Sequence, residues 1–550
     1  MAKAFAVLID TVSIQKYVFA SNKLKENIGA SYLVEEIYED YLDDSISDVL
    51  NLSIKEVKEI KKLWIEHPEI IQLNQNNQYP FEIGYIGGGN ALLFFRESQS
   101  SQEFIRNWTK KLLHKCPGLS TAVAISDEMN GFDLDNFIHE KNVLFKQLII
   151  NKNSYIPIVA PLKQGITADC PKSGYAAEKK YPSPDTVEYI SSVSSAKLHA
   201  AEDSNKKLEN DFIKVLGEKV SENKYKYKFS DDIEKVGQKT GESHIAIVHI
   251  DGNDMGRRFS ECKSLKELRT LSNNLKAATH EAFADLVQHN MIQLMINVDL
   301  NKEGINCDET EQREDGTSAT RLPLRSIVIG GDDITFITDG RLGLYLAYHF
   351  IKLWIRKTKE LTKEDFSCCA GVAIIKTKYP FYRGYELAED LCRQAKKMAR
   401  NKTNSSWVDF HIAYGGFSGS IDQIRKKYFT TPDGNMLHAG PYQVSSKDND
   451  SINSFENFLQ GIKTFQNMEY WPRSKVKEFR DALSSGYYAT EIWLNQNHIG
   501  KNTKRTLPNY NHHPEFQLKG WKDKITPYFD MVDLIDFYPD YLSHEVNTNE

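Results

Sequence analysis

The chain contains the same succession of strand-like patterns twice, and this repeat constrains its fold more than any other feature. In the first copy an apolar run ends in Asp10, and the glycine-broken run EIGYIGGGNALLFF follows at 82–95. In the second copy an apolar run ends in Asp251, and SIVIGGDDITFI follows at 326–337. A further apolar run comes next in each copy, STAVAIS at 120–126 and CAGVAII at 369–375. This order predicts a tandem duplication of one unit of strands and helices.

The hairpin of the second copy carries two adjacent carboxylates. Within SIVIGGDDITFI, Gly330 and Gly331 are predicted to form the turn, with Asp332 and Asp333 at its tip. Unpaired carboxylates so close together repel each other, and a hard divalent cation between them offsets that repulsion. The four letters GGDD alone are equally typical of a solvated turn and of a metal site. Asp251, at the end of the preceding strand, is the third carboxylate, and its presence favours a metal site.

The segment after Asp251 is typical of a phosphate contact. Gly252 and Gly256 are predicted to let a ligand approach the backbone, and Asn253 and Asp254 suit the N-cap region of a helix. Free backbone N–H groups and the positive end of the helix dipole favour phosphate at such a position. We therefore expect residues 252–256, including Met255, to lie against the phosphates of a nucleotide.

A strand and an amphipathic helix complete the second copy. The strand pattern SCCAGVAIIKTKYPF covers 367–381, and the helix pattern RGYELAEDLCRQAKKMARN covers 383–401. The apolar positions of the helix recur on one face, which predicts packing against the sheet. Most of its charged side chains are interpreted as a solvated face, and Lys396 is the exception because of the family resemblance below.

Five ordered segments resemble a known family: HIDGNDMG, IGGDD, AGVAIIKTKYPF, LAEDLCRQAKKMARN and SSWVDFH. They resemble the GGDEF/palm superfamily and, more narrowly, the second palm domain of the large subunit of type III CRISPR effector complexes. The resemblance implies a metal-dependent nucleotidyltransferase that converts ATP into cyclic oligoadenylate. It implies that Asp251, Asp332 and Asp333 hold two Mg²⁺ or Mn²⁺ ions, and the backbone carbonyl of Ile250 is expected as a further ligand. It also implies that Lys396 contacts the triphosphate of an ATP bound near Gly330 and Gly331.

The first copy is predicted to be a non-catalytic palm. Gly89 and Asn90 stand where the second copy has Asp332 and Asp333, so the first copy lacks the carboxylates that two metal ions require. The glycine-rich turn can still contact a nucleotide, and the residues expected to do so are Gly87, Gly88, Gly89 and Asn90. The resembled family shows the same division into one degenerate and one active palm.

The sequence therefore predicts an α+β protein with two tandem ferredoxin-like palm domains, a linker domain and a helical C-terminal domain. The expected boundaries are 1–150 for the first palm, 151–240 for the linker, 241–420 for the second palm and 421–550 for the helical domain. A polar, acidic stretch at 300–322 is interpreted as a surface insertion before the catalytic hairpin.

Composition limits the cellular setting and the partners. The chain has 69 basic and 75 acidic residues, so it lacks the overall positive field of a protein that binds nucleic acid alone. Contacts to guide or target RNA are therefore expected within an effector complex. The resemblance implies that this complex also contains small helical and repeat subunits. No run of 18 apolar residues and no secretory leader are present, which predicts a cytoplasmic protein without a membrane span. The resemblance implies that the cell is prokaryotic.

Two absences from the sequence refine these expectations. The chain has no His-Asp dipeptide, so the N-terminal nuclease domain of many members of the resembled family is not expected. The seven cysteines form no disulfide framework, and Cys170 in DCPKSG has no CxxC partner. No zinc is therefore expected, and this segment is interpreted as a structural turn.

Three alternatives remain open at this stage. One is a diguanylate-type cyclase that uses GTP, although the hairpin reads GGDD rather than GG(D/E)EF. Another is a largely non-catalytic scaffold of an RNA-guided complex, and the third is a stand-alone synthase that works outside a guide complex. Ring size, linkage, base preference, oligomeric state and dependence on target RNA are not encoded in any recognisable pattern.

Overall fold

The computed structural model describes thirteen stretches of the chain: 3–74, 79–130, 134–154, 165–182, 187–216, 227–237, 243–308, 319–402, 404–415, 419–444, 451–500, 504–510 and 513–544. Contacts divide the chain into two compact units. The first comprises Met1–Ile213, Asp254–His280 and Ile327–Asp332, and the second comprises Lys214–Asn253, Glu281–Ser326 and Asp333–Glu550. The four domain boundaries expected from the sequence stay a prediction. Of the expected insertion at 300–322, residues 309–318 lie outside the described residues.

The first unit is built on an antiparallel sheet. Its elements begin with β1 (Lys3–Val12), α1 (Ile14–Val18), α2 (Leu24–Glu36), α3 (Asp40–Leu50), α4 (Ile54–Glu66), β2 (Phe81–Gly87), β3 (Asn90–Phe95), α5 (Ser98–Lys115), β4 (Ser120–Ile125), β5 (Met129–Asn130) and α6 (Leu134–Ser154). The strand order is β2-β3-β1-β4, and β5 pairs with the start of β1. The strands are apolar because both faces of this sheet are largely covered, and residues 4 and 6–9 of β1 are buried.

A two-residue turn joins β2 to β3 and explains the glycines of GGGN. Gly88 and Gly89 have φ values of 59° and 74°, the region that two-residue hairpin turns require. Any other residue at Gly89 would be strained by this φ, and its Cβ atom would lie 2.1 Å from Cδ1 of Ile14, which would have to move. The Gly89 carbonyl accepts hydrogen bonds from the Thr11 N–H at 2.9 Å and the Tyr38 hydroxyl at 2.5 Å. These two hydrogen bonds therefore fix the turn on the side that faces Thr11 and Tyr38.

The remaining elements of the expected linker region are a small hairpin and a long helix. They are β6 (Lys179–Pro182), β7 (Val187–Ile190), α7 (Ser192–Asp211) and α8 (Ile213–Leu216). Helix α7 packs tightly on α2, since a Cβ atom on Gly29 would lie 1.7 Å from the carbonyl oxygen of Lys197. The CPKSG segment is a turn, in which the Gly174 N–H donates to the Cys170 carbonyl at 2.9 Å.

The second sheet repeats the arrangement of the first. Its region contains β8 (Tyr227–Phe229), β9 (His244–Gly252), α9 (Met255–Glu261), α10 (Leu265–Asp285), a π-helical segment (Leu286–Ile292), α11 (Gln293–Asn297), β10 (Thr320–Leu322), β11 (Leu324–Ile329), β12 (Asp333–Asp339), α12 (Gly343–Thr362), β13 (Cys368–Lys376), α13 (Phe381–Ala399), β14 (Ser406–Ala413), α14 (Ile421–Tyr428) and β15 (Tyr442–Val444). The strand order is β11-β12-β9-β13-β14-β15. Strand β9 pairs antiparallel with β12 and β13, as β1 does with β3 and β4, so the tandem palm fold is confirmed.

The C-terminal region is helical, as expected. It contains α15 (Phe455–Gln466), α16 (Arg473–Ser484), α17 (Tyr487–Gln496), α18 (Pro514–Lys519), α19 (Tyr528–Leu534) and α20 (Tyr541–His544). Its core is aromatic: Trp471 packs edge-on against Phe465 with ring centroids 4.9 Å apart, and Tyr528 is fully buried. Among the helices that the structure describes, none combines the length and the apolar character needed to cross a bilayer.

A buried cluster of charges joins the second sheet to the C-terminal helices. Asp409 of β14 accepts two hydrogen bonds from Arg425, at 2.7 and 2.8 Å. The imidazole of His438 lies between two carboxylates, with Nε2 3.2 Å from Asp409 and Nδ1 3.0 Å from Asp530. Burial alone would raise the pKa of Asp409, but Arg425 and His438 hold it well below its usual value. Burial and Arg425 act to lower the pKa of His438, and the two carboxylates outweigh them and raise it.

This cluster predicts a stability loss at alkaline pH. A raised His438 pKa means that its stabilisation is fully present below pH 6.5 and is lost as the pH rises through the folded-state pKa. We expect His438→Gln to cost about 2 kcal/mol at pH 6, the scale of hydrogen bonds to charged groups, and less at pH 9. Urea unfolding across this range checks it, with the half-exposed His67→Gln as the control. An equal cost at both pH values would contradict the prediction.

Candidate metal centre

Two of the three expected carboxylates face each other across neighbouring strands. Asp251 near the end of β9 and Asp333 at the start of β12 are direct cross-strand partners. Side chains in such pairs have Cβ atoms roughly 4.5–5.5 Å apart, and like charges there destabilise the sheet. Burial, followed by the negative charge of Asp251, raises the pKa of Asp333 to about 7, although Lys396 acts in the opposite direction. The two carboxylates therefore carry more negative charge than their surroundings offset.

Lys396 supplies part of the positive charge that offsets the two carboxylates. It projects from α13, and its Nζ lies 2.6 Å from Oδ2 of Asp251 and donates to the Gly252 carbonyl at 2.9 Å. Burial acts to lower the pKa of Lys396, and the charge and hydrogen bond of Asp251 outweigh it and raise the pKa. The side chain predicted to contact triphosphate thus contacts an expected metal ligand in this structure. The structure contains no nucleotide, so the triphosphate contact stays a prediction.

A buried histidine lies next to the carboxylate pair along the same two strands. His249 and Thr335 are cross-strand partners two residues along from Asp251 and Asp333, and His249 Nδ1 lies 2.9 Å from the Thr335 hydroxyl. Burial lowers the pKa of His249 to about 4, and the effect of Asp251 in the other direction is smaller. No motif in the sequence pointed to this residue. Its signal was a polar residue in alternation with Asp251 along an otherwise apolar strand.

Asp332 lies in the short link between β11 and β12, after Gly330 and Gly331. The three residues are partly exposed, and neither glycine has a positive φ among the described backbone angles. A Cβ atom on Gly331 would have nothing within 4 Å, so the link is open on that side. The Gly331 carbonyl accepts a hydrogen bond of 2.8 Å from Thr279 Oγ1 of α10. The predicted hairpin is present, with Asp333 already inside the second strand.

The segment after Asp251 takes two roles. Asn253 fixes the loop by three hydrogen bonds. Its N–H donates to the Ser367 carbonyl at 2.9 Å, and its Nδ2 donates to Ser367 Oγ at 2.9 Å and to the Ser405 carbonyl at 3.2 Å. Asp254 has a φ of 59° and precedes α9 as its N-cap residue, but its side chain makes no cap hydrogen bond. Met255 starts the helix and is buried, and Gly256 is exposed. Ile250, expected as a carbonyl ligand, is buried between its cross-strand partners Ile334 and Ala370.

The first palm has an equivalent but altered arrangement. Asp10 and Asn90 are direct cross-strand partners, as Asp251 and Asp333 are in the second. Lys152 of α6 forms an ion pair with Asp10, in the manner of Lys396 with Asp251. Burial raises the pKa of Asp10, although Lys152 opposes this. Lys152 was missed from the sequence, because its helix pattern contains several lysines and none lies at a diagnostic spacing.

The donor set of the second palm fits a hard divalent cation. Such ions prefer carboxylate oxygens, and the opposed Asp251 and Asp333 present two carboxylates at one strand end. Within the described ranges, no group of three or more histidine, cysteine, aspartate or glutamate side chains is arranged to hold a metal ion. The participation of Asp332 and of the Ile250 carbonyl therefore stays a prediction.

Lys396 and a cation compete for Asp251, so a substitution of Lys396 should affect cation binding and turnover in opposite directions. In the absence of nucleotide, we expect the Lys396→Met variant to bind Mn²⁺ about tenfold more tightly than wild type. The reason is that the loss of competition from the lysine is worth ~1.4 kcal/mol. We also expect the variant to turn over more slowly, because it lacks the positive charge near the leaving pyrophosphate. Thermal shift against Mn²⁺ concentration measures the affinity, and the exposed neighbour Lys397→Met is the matched control. Weaker Mn²⁺ binding in the Lys396 variant would rule out the competition.

The fold and the carboxylate pair define a tandem palm protein with one site suited to a divalent cation. Residues 244–404 match the family model for the second palm domain of Cas10/Cmr2. The fold as a whole is similar to solved chains of Csm1–Csm4 cassettes in complex with cA4, pppApA and AMPPNP. Their TM-scores are 0.52, 0.51 and 0.50, at 11% identity over 97% of this chain and 70%, 69% and 69% of theirs. No curated protein sequence matches the chain. The match of residues 244–404 agrees with the resemblance to the second palm domain of type III CRISPR large subunits that the motifs indicated.

Proposed function

We propose that this protein is a metal-dependent nucleotidyltransferase that joins ATP into a cyclic oligoadenylate in type III CRISPR defence. The observation that carries the proposal is the opposed, partly exposed pair of Asp251 and Asp333, with Lys396 as the only described lysine or arginine that forms an ion pair with Asp251. The match of residues 244–404 to the Cas10/Cmr2 second palm supports it. The similar Csm1–Csm4 structures, solved with cyclic and linear adenylates, support the choice of adenine nucleotides.

The chemistry asks three things of the chain. Bound Mg²⁺ or Mn²⁺ would lower the pKa of the attacking ribose hydroxyl and offset the charge of the donor phosphates. The carboxylates of Asp251 and Asp333 lie at the same end of their two paired strands and would hold the ion, and Asp332 precedes Asp333 in the chain. Lys396 keeps one positive charge at the site, where it can move from Asp251 to the pyrophosphate as that group leaves. Asn253 fixes the loop between β9 and α9, so that the nearby backbone keeps its position.

In the first palm, Lys152 and Asn90 make a metal ion unnecessary. Asp10 already has a lysine counter-charge, and Asn90 adds no second carboxylate. The fixed GGGN turn offers backbone and amide groups to a second nucleotide, which we assign as a non-catalytic contact through Gly87, Gly88, Gly89 and Asn90.

The direct test is product formation from the purified chain. ATP or GTP is incubated with the protein and Mg²⁺ or Mn²⁺, and products are identified by mass spectrometry. A cyclic adenylate that depends on Asp333 establishes a cyclase that works alone, and a guanylate product assigns the site to GTP. If the isolated chain gives no product, the assay is repeated with the complex purified from its source. Product from the complex alone assigns the activity to an RNA-guided assembly, and no product from either form refutes the proposal.

A further inference from the structure

One face of α10 carries polar side chains that reach backbone carbonyls of strand β2 in the first palm and of Gly331 in the second. Arg269, Ser272 and Thr279 lie at spacings of three and seven residues, which places them on one side of the helix. All three are buried, with exposed fractions of 0%, 6% and 1%. A buried polar side chain is stable only when it is hydrogen-bonded, so the partners of these side chains determine what the helix holds.

Arg269 and Ser272 hold the hairpin of the first palm. The Arg269 guanidinium forms a buried ion pair with Glu82, and its Nε donates to the Ile83 carbonyl at 3.0 Å. Ser272 Oγ donates to the Ile86 carbonyl at 3.3 Å, immediately before the GGGN turn. A Cβ atom on Gly87 would lie 2.9 Å from Ser272 Oγ, so a methyl group there would displace the Ser272 side chain from its hydrogen bond.

Thr279 holds the turn of the second palm. Its Oγ1 donates to the Gly331 carbonyl at 2.8 Å, directly before Asp332. Residues 327–332 and 254–280 belong to the same compact unit as the first palm. Seven residues separate Ser272 from Thr279, a rise of about 10 Å along a helix. A helix transmits displacement along its axis because its backbone hydrogen bonds resist compression.

We propose that α10 is the element through which the first palm sets the position of the GGDD turn, with Thr279 as the positioning residue. A displacement of the GGGN hairpin, including one caused by a bound nucleotide, moves Ser272 and is passed along α10 to the Gly331 carbonyl. The consequence for metal binding rests on the proposed function, because it assumes that the residues after Gly331 hold the cation. The positional coupling itself does not.

Hydrogen exchange of the turn tests the coupling directly. Amide exchange of peptides covering 327–335 is measured by mass spectrometry in full-length wild type, Thr279→Val and Thr279→Ser. Valine keeps the shape of threonine without the hydroxyl, whereas serine keeps the hydroxyl. We expect exchange to rise about fivefold in the valine variant, the value of one typical hydrogen bond, and to stay within about twofold in the serine variant.

A second pair of variants perturbs the helix from the other end. Gly87→Ala places a methyl group against Ser272, whereas Gly165→Ala adds one where nothing lies within 4 Å. We expect exchange at 327–335 to rise in the Gly87 variant and to be unchanged in the Gly165 variant. Melting temperatures are recorded for all variants, so that a general loss of stability, seen as faster exchange throughout the chain, is separated from a local effect.

The metal readout then distinguishes the two proposals. We expect Thr279→Val to weaken Mn²⁺ binding about fivefold, and Thr279→Ser to restore it. If wild type binds no Mn²⁺ in an Asp333-dependent way, the proposed function fails and the exchange data still decide the coupling. If exchange at 327–335 is the same in Thr279→Val and wild type, or unchanged by Gly87→Ala, the coupling through α10 is overturned. Faster exchange in Thr279→Ser equal to that in Thr279→Val would overturn the role of the hydroxyl.

Discussion

We expect the double variant Asp332→Ala, Asp333→Ala to lose at least about a thousandfold in nucleotide synthesis, a barrier increase of roughly 4 kcal/mol. The expected reason is the loss of carboxylates that hold the cation. The fold should stay intact, because Asp333 lies opposite Asp251 and its ionised form repels that carboxylate. In metal-free buffer above pH 7, we therefore expect the melting temperature to be unchanged or higher than that of wild type.

The measurement pairs activity with thermal unfolding at two pH values. A carboxyl whose pKa is raised on folding destabilises the folded state when ionised, so the gain from the double variant should be larger at pH 8 than at pH 5. Asp365→Ala, which removes an exposed carboxylate on the same unit as Asp333, is the control for both readouts. A collapse of the melting temperature, or full activity in the double variant, would contradict the metal-site interpretation.

The second large effect concerns the buried ion pair between Glu82 and Arg269. The two side chains are almost completely buried, with exposed fractions of 1% and 0%. Removal of one partner of such a pair leaves the other charge buried without compensation, which costs about 3–5 kcal/mol. We therefore expect Glu82→Gln to lower the free energy of unfolding by that amount, although glutamine has nearly the same shape as glutamate.

Urea unfolding of Glu82→Gln provides the value, and Glu59→Gln provides the comparison. Glu59 belongs to an exposed pair with Lys55 on α4, for which a change below about 0.5 kcal/mol is expected. The unfolding of the first unit should be affected, since both members of the buried pair lie within it. Equal costs for Glu82 and Glu59 would show that the Arg269 guanidinium finds enough backbone acceptors without the carboxylate.

The sequence was sufficient for the parts of the structure that depend on local patterns. Runs of apolar residues predicted the strands that end near Asp10 and Asp251, and the glycine-broken runs predicted both hairpins. Because the two copies have nearly the same spacing, the correspondence between Asn90 and Asp333 could be read directly, and the strand registers agree with it. The helical character of the C-terminal region was also predicted.

The contacts that the sequence did not reveal are long-range and made by common residue types. Lys152 pairs with Asp10 over 142 positions of the chain, and Thr279 bonds to a backbone carbonyl 52 positions away. Neither residue lies in a motif, and a lysine or threonine on a helix is usually solvated. Lys396 was identified by resemblance alone, and its contact with Asp251 depends on the pairing of β9 with β13 and the packing of α13 on them.

The ion pair of Asp10 with Lys152 bears on the electroneutrality of the duplicated unit. In the first copy one carboxylate and one ammonium accompany the amide of Asn90, so their formal charges cancel. In the second copy, Lys396 balances only one of two carboxylates when both are ionised. Two copies with the same strand order and register thus differ in their demand for a counter-ion. The exchange of one amide for one carboxylate, at the first residue of one strand, accounts for this difference in charge.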